Sequence, residues 1–296
     1  MVNWYKEYLA SLKTLETEEL IDLVVFRPLG FLVVKGVKKT TITPNQLTIA
    51  ALIAGIAAGF AFAQGGREAF ITGSLLYFLF NVLDCSDGQL ARLKHNGTPA
   101  GRIIDGAADY IAGIAVFLGI GFGYMEHFEN PMIWWVILIG ATISNILHSM
   151  VTDNERLRYM KHAYSRKDAF AEELEEFRRE LTRLNQTPGS SWFERTIILI
   201  YLKYMQLARK IEKPAQALPE LLDKETYRQT FRKLIKAWTF LGPTTHITIV
   251  VIASWFMRPD IAAWIILLPM NLYWLIIFLF QQNKLKRFSQ TTISTY

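Results

Sequence analysis

"NVLDCSDGQLARLKHNGTPAGRIIDGAADY", residues 81–110, decides how this chain folds. Four aspartates, Asp84, Asp87, Asp105 and Asp109, stand in it between two runs apolar enough to be membrane. A carboxylate beside hydrocarbon is costly, so a chain that places four there has a use for them. Asp84, Asp87 and Ala91 recur at i, i+3 and i+7, and Gly101, Asp105 and Asp109 at i, i+4 and i+8. Each set therefore shares one helix face. The short link between them predicts an antiparallel hairpin whose acidic faces meet at one depth.

The rest of the chain supports a membrane reading. It is 51% hydrophobic and only 20% charged over 296 residues, and the apolar residues are gathered into long runs. That pattern predicts an all-α, polytopic helix bundle. Six spans are expected: near 47–64, from 69 through 83 into the aspartates, and near 101–125, 132–151, 237–257 and 261–280. The lone Cys85 excludes an internal disulfide and offers no CxxC metal site. The N-terminus carries charges throughout and is not expected to be a cleaved signal peptide; targeting then falls to the first span. A net charge of +6 suits an acidic partner. In a membrane chain that partner is a lipid surface rather than a nucleic acid.

Sidedness follows from the basic residues. With both termini cytoplasmic, the outer loops hold only Arg67 and Arg258 of the 32 lysines and arginines. Lys35, Lys38, Lys39, Arg92, Lys94, Lys284, Lys286 and Arg287 then flank spans on the inner side, where the aspartates also lie. Four regions are expected. Residues 1–46 form a cytoplasmic N-terminus with an amphipathic surface helix, its lysines toward anionic headgroups. Residues 47–151 hold spans one to four with the acidic motif. Residues 152–236 form a cytoplasmic helical insert, and 237–296 hold spans five and six with a C-terminal tail. Thr43 and Pro44 read as the N-cap and first turn of the first span. In the insert, Phe170, Leu174, Phe177, Leu181 and Leu184 form an apolar seam. Ser191 and Glu194 read as a capping box for a following helix, which is too short to span and is expected on the inner face of the bundle.

Converging carboxylates cannot all stay ionised without cations, and oxygen-only ligands suit hard divalent ions such as Mg²⁺, Mn²⁺ or Ca²⁺. Such ions are commonly paired where phosphate oxygens are held. Gly88, Ala91 and Gly101 leave room for a ligand to approach the backbone, and Arg92 adds a phosphate-binding fork. Together these residues point to a nucleotide-diphosphate site at the membrane surface. A single acid near a span end is more often simply solvated, but that does not explain four on facing helices. Two other classes compete: an aspartate-motif prenyltransferase, which gives no reason for the three small residues, and a cation carrier. A carrier needs an ionisable path, yet the outer halves of the spans carry no charge.

Asp84, Asp87, Gly88, Ala91 and Arg92, then eight residues, then Gly101, Asp105 and Asp109 resemble the CDP-alcohol phosphotransferase signature DxxDGxxAR…GxxxDxxxD at every fixed position. The resemblance implies attack of an alcohol on a CDP-linked donor with release of CMP. It implies two divalent cations, Mg²⁺ or Mn²⁺ with Ca²⁺ also accommodated, on Asp84, Asp87, Asp105 and Asp109. Asp109 would also be the general base. Gly88, Ala91 and Gly101 would border the cytidine, with Asp84 and Arg92 near the phosphates. A homodimer is implied too. The first expectation for the donor is CDP-diacylglycerol with a small polar alcohol acceptor; the alternative is a CDP-linked headgroup passed to a lipid alcohol.

Other polar groups have plainer readings beside functional ones. Ser144, Asn145, His148 and His246 either line an acceptor pocket or bond between helices. Arg156, Arg158, Lys161 and His162 either bind a phosphorylated acceptor or anchor to the surface potential. Trp134, Trp135, Trp255 and Trp264 are expected in an interfacial belt at the outer span ends.

Overall fold

The computed structural model describes residues 2–164, 169–187, 192–211 and 224–293, and these hold helices and no strand. The N-terminal region is α1 (Val2–Ser11), an irregular strap, a π turn (Asp22–Phe26) and α2 (Arg27–Val37). The bundle follows with α3 (Pro44–Ala63), α4 (Arg67–Lys94), α5 (Pro99–Tyr124) and α6 (Pro131–Tyr164). Helices α7 (Ala169–Gln186) and α8 (Trp192–Ile211) belong to the insert. The chain ends with α9 (Lys224–Thr239), α10 (Pro243–Trp255), α11 (Pro259–Ile265), a second π turn (Ile266–Met270) and α12 (Asn271–Ile293).

Six helical stretches are long and apolar enough to cross a bilayer: Pro44–Ala63, Arg67–Lys94, Pro99–His127, Pro131–Tyr164, Lys224–Trp255 and Pro259–Lys286. They match the six expected spans, with different ends. The second was expected to run from near Ala69 through Leu83 into the aspartates, and α4 does so, continuing unbroken to Lys94. The fourth runs on to Tyr164, and its last turns pack Tyr159 and Ala163 with Tyr227, Phe231 and Leu234 of α9. The fifth is not one helix. Pro243 has no N–H to continue α9, so the chain turns at residues 240–242 and restarts with Pro243 in the first turn of α10. In the sixth, Pro269 widens one turn into a π turn, and Asn271 Nδ2 donates to the Leu267 carbonyl at 2.8 Å.

Lipid offers no hydrophobic drive for one apolar helix to bind another, so close packing holds such helices together. Helices α3 and α5 meet through small residues: Ala51, Ala54 and Ala58 face Ala112 and Val116. A Cβ at Gly59 or Gly119 would collide with the backbone of the opposite helix. Thr43 caps α3 as expected, its Oγ1 accepting from Gln46 N while Gln46 Oε1 accepts from Thr43 N at 2.9 Å.

The tryptophan belt is partly corrected. Trp255 and Trp264 are exposed, but Trp134 is wholly buried. It donates to the Gly121 carbonyl at 3.1 Å and stacks on Phe128. The surface lysines are also less free than expected, since Lys35 and Lys38 both bind Glu7 of α1. Leu174, Phe177, Leu181 and Leu184 form the predicted seam of α7, against Ile198 and Leu202 of α8 and against Ala100 and Ile103 of α5. The Phe170 side chain and Ser191, and with them the Ser191–Glu194 capping box, lie outside the described residues.

Candidate active site

The motif is built as the spacing predicts. His95 ends α4 in the left-handed region (φ 52°), and Thr98 starts α5, its Oγ1 accepting from Gly101 N at 3.0 Å. The reversal takes only residues 95–98, so the acidic faces of α4 and α5 must meet. One carboxylate oxygen from each of Asp84, Asp87 and Asp105 lies within 4.8 Å of the others. Asp109 is the most exposed of the four, and its carboxyl stands within hydrogen-bonding reach of Asp84.

What surrounds these acids matters as much as their approach. Among the described residues no lysine, arginine or histidine forms an ion pair with any of the four. Thr48 Oγ1 donates to Asp87 Oδ2, and Asp105 Oδ1 is buried with no partner. At this separation two unit charges repel by about 3 kcal/mol for an effective dielectric near 20. Three converging ligand oxygens, an orphaned carboxylate oxygen and no ion-paired basic side chain among the described residues fit a hard divalent cation.

The small residues divide in two. A Cβ at Gly101 would stand 2.7 Å from Asn45 Oδ1 and 3.1 Å from Thr98 Oγ1, so the glycine leaves room for those two side chains. A Cβ at Gly88 would meet only the Arg92 guanidinium, 3.4 Å away, so its bareness has no packing cause within the chain. Ala91 is half-buried beside it. Arg92 Nε donates to the Ser11 carbonyl, while its Nη2 is buried without a partner.

Two groups that hold the site were missed in the sequence. Asn45 and Thr48, in the first turns of α3, press on Gly101 and bond Asp87, so α3 buttresses both arms of the hairpin. "TPNQLT" read only as a helix start; its polar residues one turn apart were the available signal. The other group is the strap. Gln89 Nε2 donates to Ser11 Oγ and to the Arg27 carbonyl, both at 3.1 Å. Two residues on, Lys13 lies close enough to act electrostatically on Asp105 and Asp109.

Beyond Ser11 the strap buries four acids of its own. Glu16 accepts from Arg228 Nη2 (2.7 Å), Tyr159 Oη (2.7 Å) and Tyr164 Oη (2.9 Å). The Arg228 bond leads in holding its carboxyl down at about 2. Glu18 binds Arg27 at 3.0 Å. Glu19 binds Arg156 at 3.2 Å and accepts from Thr245 N at 3.1 Å, yet burial pushes its carboxyl up to about 7. Asp22, also raised by burial, accepts from Thr244 Oγ1 at 3.1 Å. Arg156 is thus committed to Glu19 and Asp153, and Arg158 to Glu155.

His148 and His246 follow the plainer reading. His148 Nδ1 and His246 Nε2 are 3.1 Å apart, His148 Nε2 meets Asn271 Oδ1 at 3.2 Å, and Asn271 Nδ2 donates to Ser144 Oγ at 2.9 Å. These bonds tie α6, α10 and α12 together.

Comparison with known proteins agrees with the motif. The profile of the CDP-alcohol phosphatidyltransferase family matches residues 41–170. A phosphatidylinositol phosphate synthase of Corynebacterium glutamicum is 28% identical over 46% of this chain and 57% of its own length. One from Mycobacterium marinum is 27% identical over 40% of this chain and 47% of its own. A bifunctional IPC transferase and DIPP synthase of Thermococcus kodakarensis is 26% identical over 58% of this chain and 34% of its own. The chain thus spans about half the length of the synthases it matches. The profile spans the acidic hairpin and its signature, and residues 41–170 match a CDP-alcohol phosphatidyltransferase domain.

Proposed function

We propose that this chain transfers a substituted phosphate from a CDP-linked donor to an alcohol, with release of CMP. The observation that carries this reading is the convergence of Asp84, Asp87 and Asp105 oxygens within 4.8 Å, with no basic side chain among the described residues ion-paired to them. Asp84, Asp87 and Asp105, with Asp109 beside them, would hold two divalent cations, Mg²⁺ or Mn²⁺. When bound, these ions supply charge neutralisation at the donor's pyrophosphate and at the leaving CMP. Gly88, whose backbone is open, would border the cytidine with Ala91 and Gly101, and Arg92, whose Nη2 has no partner, would bind a phosphate oxygen.

Asp109 acts as general base. Its carboxylate takes the proton of the acceptor hydroxyl, and the acceptor oxygen bonds to the phosphorus carrying the substituent. The bond from that phosphorus to the bridging oxygen breaks, and CMP leaves with the electron pair. The likeness to bacterial phosphatidylinositol phosphate synthases favours a phosphatidyl donor, CDP-diacylglycerol, over a CDP-linked headgroup.

The distribution of basic residues supports a cytoplasmic placement of both termini and of the site. The resemblance supports a homodimer; a single-protomer mass in nanodiscs would remove that part.

The deciding experiment is a panel. Purified protein with Mg²⁺ or Mn²⁺ is given CDP-diacylglycerol, CDP-choline, CDP-ethanolamine or CDP-inositol with candidate alcohols, and CMP is measured. CMP is expected with CDP-diacylglycerol and one polar alcohol. No CMP from any pair sinks the reading, and CMP only with a CDP-linked headgroup and diacylglycerol moves it to the alternative donor.

A further inference from the structure

Among the described side chains, helix α8 packs by one face. Ile198 and Leu202 are buried against α7 and the start of α5. The opposite face carries Trp192, Leu199 and Ile200, which are 76%, 46% and 63% exposed, with Thr196 and Lys203 also exposed. An exposed apolar ridge with a tryptophan at one end and a lysine at the other is the composition of a helix lying in a membrane interface.

Position on the bundle says what covers it. Helix α8 docks on Ala100 and Ile103, in the first turns of α5. The span that begins at Pro99 has 29 residues, about 43 Å of helix, against a hydrocarbon core of about 30 Å. Its first turns therefore stand in the headgroup layer. Ile103 also lies on a particular side of α5. Counting by helical steps, Ile103, Ala107, Tyr110, Ile114 and Leu118 share one face. The last four are exposed, and Ile114 and Leu118 lie within the apolar length of this span. A helix seated on Ile103 sits at the foot of that exposed face of α5, at the level of the span's first turns.

We propose that α8 is an interfacial helix, lying in the headgroup layer with Leu199 and Ile200 inserted and Lys203 reaching the headgroups. The insert would then be an anchor that ties the bilayer to the turn carrying Gly101. A soluble appendage would not do this.

The full-length protein in nanodiscs tests this. Cysteine is placed at Leu199 or Ile200, and at Arg179 on the exposed side of α7 for comparison. The native Cys85 is buried, which keeps background labelling low. Each site receives an environment-sensitive fluorophore and is quenched either by lipids spin-labelled near the headgroup or by aqueous iodide. Labels at 199 and 200 are expected to be quenched several-fold more by the lipid probe than the label at 179, and several-fold less by iodide. Equal iodide quenching at all three sites would overturn the proposal. Protection from both quenchers at 199 and 200 would overturn it too, and would assign the face to another protein surface such as a second copy.

Discussion

Two sets of four carboxylates lie at the same end of this bundle, and they are treated in opposite ways. In the strap, Glu16, Glu18, Glu19 and Asp22 each find arginine, tyrosine or threonine donors supplied by the fold. In the hairpin, Asp84, Asp87, Asp105 and Asp109 crowd one another, and the fold supplies one threonine hydroxyl. The same chemical group is structural where the chain balances it and a binding site where the chain does not. The strap also draws Arg156, Arg228 and Arg232 into its own balance, so those cations do not neutralise the hairpin.

The largest expected effect breaks the hairpin's chemistry and leaves its occupancy. Asp109→Asn should lower CMP release by at least about 100-fold, the low end for loss of a general base, while donor binding survives. Near-normal turnover in this variant would remove Asp109 as base.

Next comes a contrast of sign in stability without metal. Asp105→Asn relieves like-charge crowding and should raise the melting temperature in chelator, while abolishing the rise that Mg²⁺ gives the parent. That rise should correspond to about 2.7 kcal/mol at a hundredfold excess over the dissociation constant. Glu16→Gln should do the reverse, lowering stability by about 1–3 kcal/mol because Arg228 loses its charged acceptor. If both variants shift melting in the same direction, the contrast fails.

The smallest effect is a pH dependence. Glu19 titrates at about 7 in the folded chain against an ordinary 4.5. Between those values the folded state holds a proton that the unfolded chain releases, so this residue's contribution to stability is full below about 4.5 and declines as pH rises to about 7. Melting followed across that window should flatten in Glu19→Gln; an unchanged slope would rule Glu19 out as its source.

The six spans and the acidic hairpin were legible because hydropathy and helical spacing are local properties of a sequence. The break before α10 was legible in principle: Gly242–Pro243 places proline in a first helical turn as Thr43–Pro44 does, but apolar neighbours on both sides hid it. The strap's pairing was not legible. Glu16 and Arg228 stand 212 residues apart, and nothing in either neighbourhood names the other. Trp134 misled because an aromatic at an outer span end reads alike whether it faces lipid or the core. In the site, the four aspartates declared themselves by spacing. Thr48, which bonds one of them from a third helix, did not.

The contact of Gly59 with Gly119 has a mechanical consequence. Gly119 is ten residues from Asp109, about 15 Å along α5, and the two helices touch there backbone to backbone. The contact acts as a fulcrum. A single methyl group inserted at it would tilt α5 and swing Asp105 and Asp109 away from Asp84 and Asp87 by a distance of the order of the wedge itself. Metal–ligand bonds tolerate displacements of only about 0.2 Å. The spacing of the four carboxylates at the end of the bundle thus depends on two glycines deep within it.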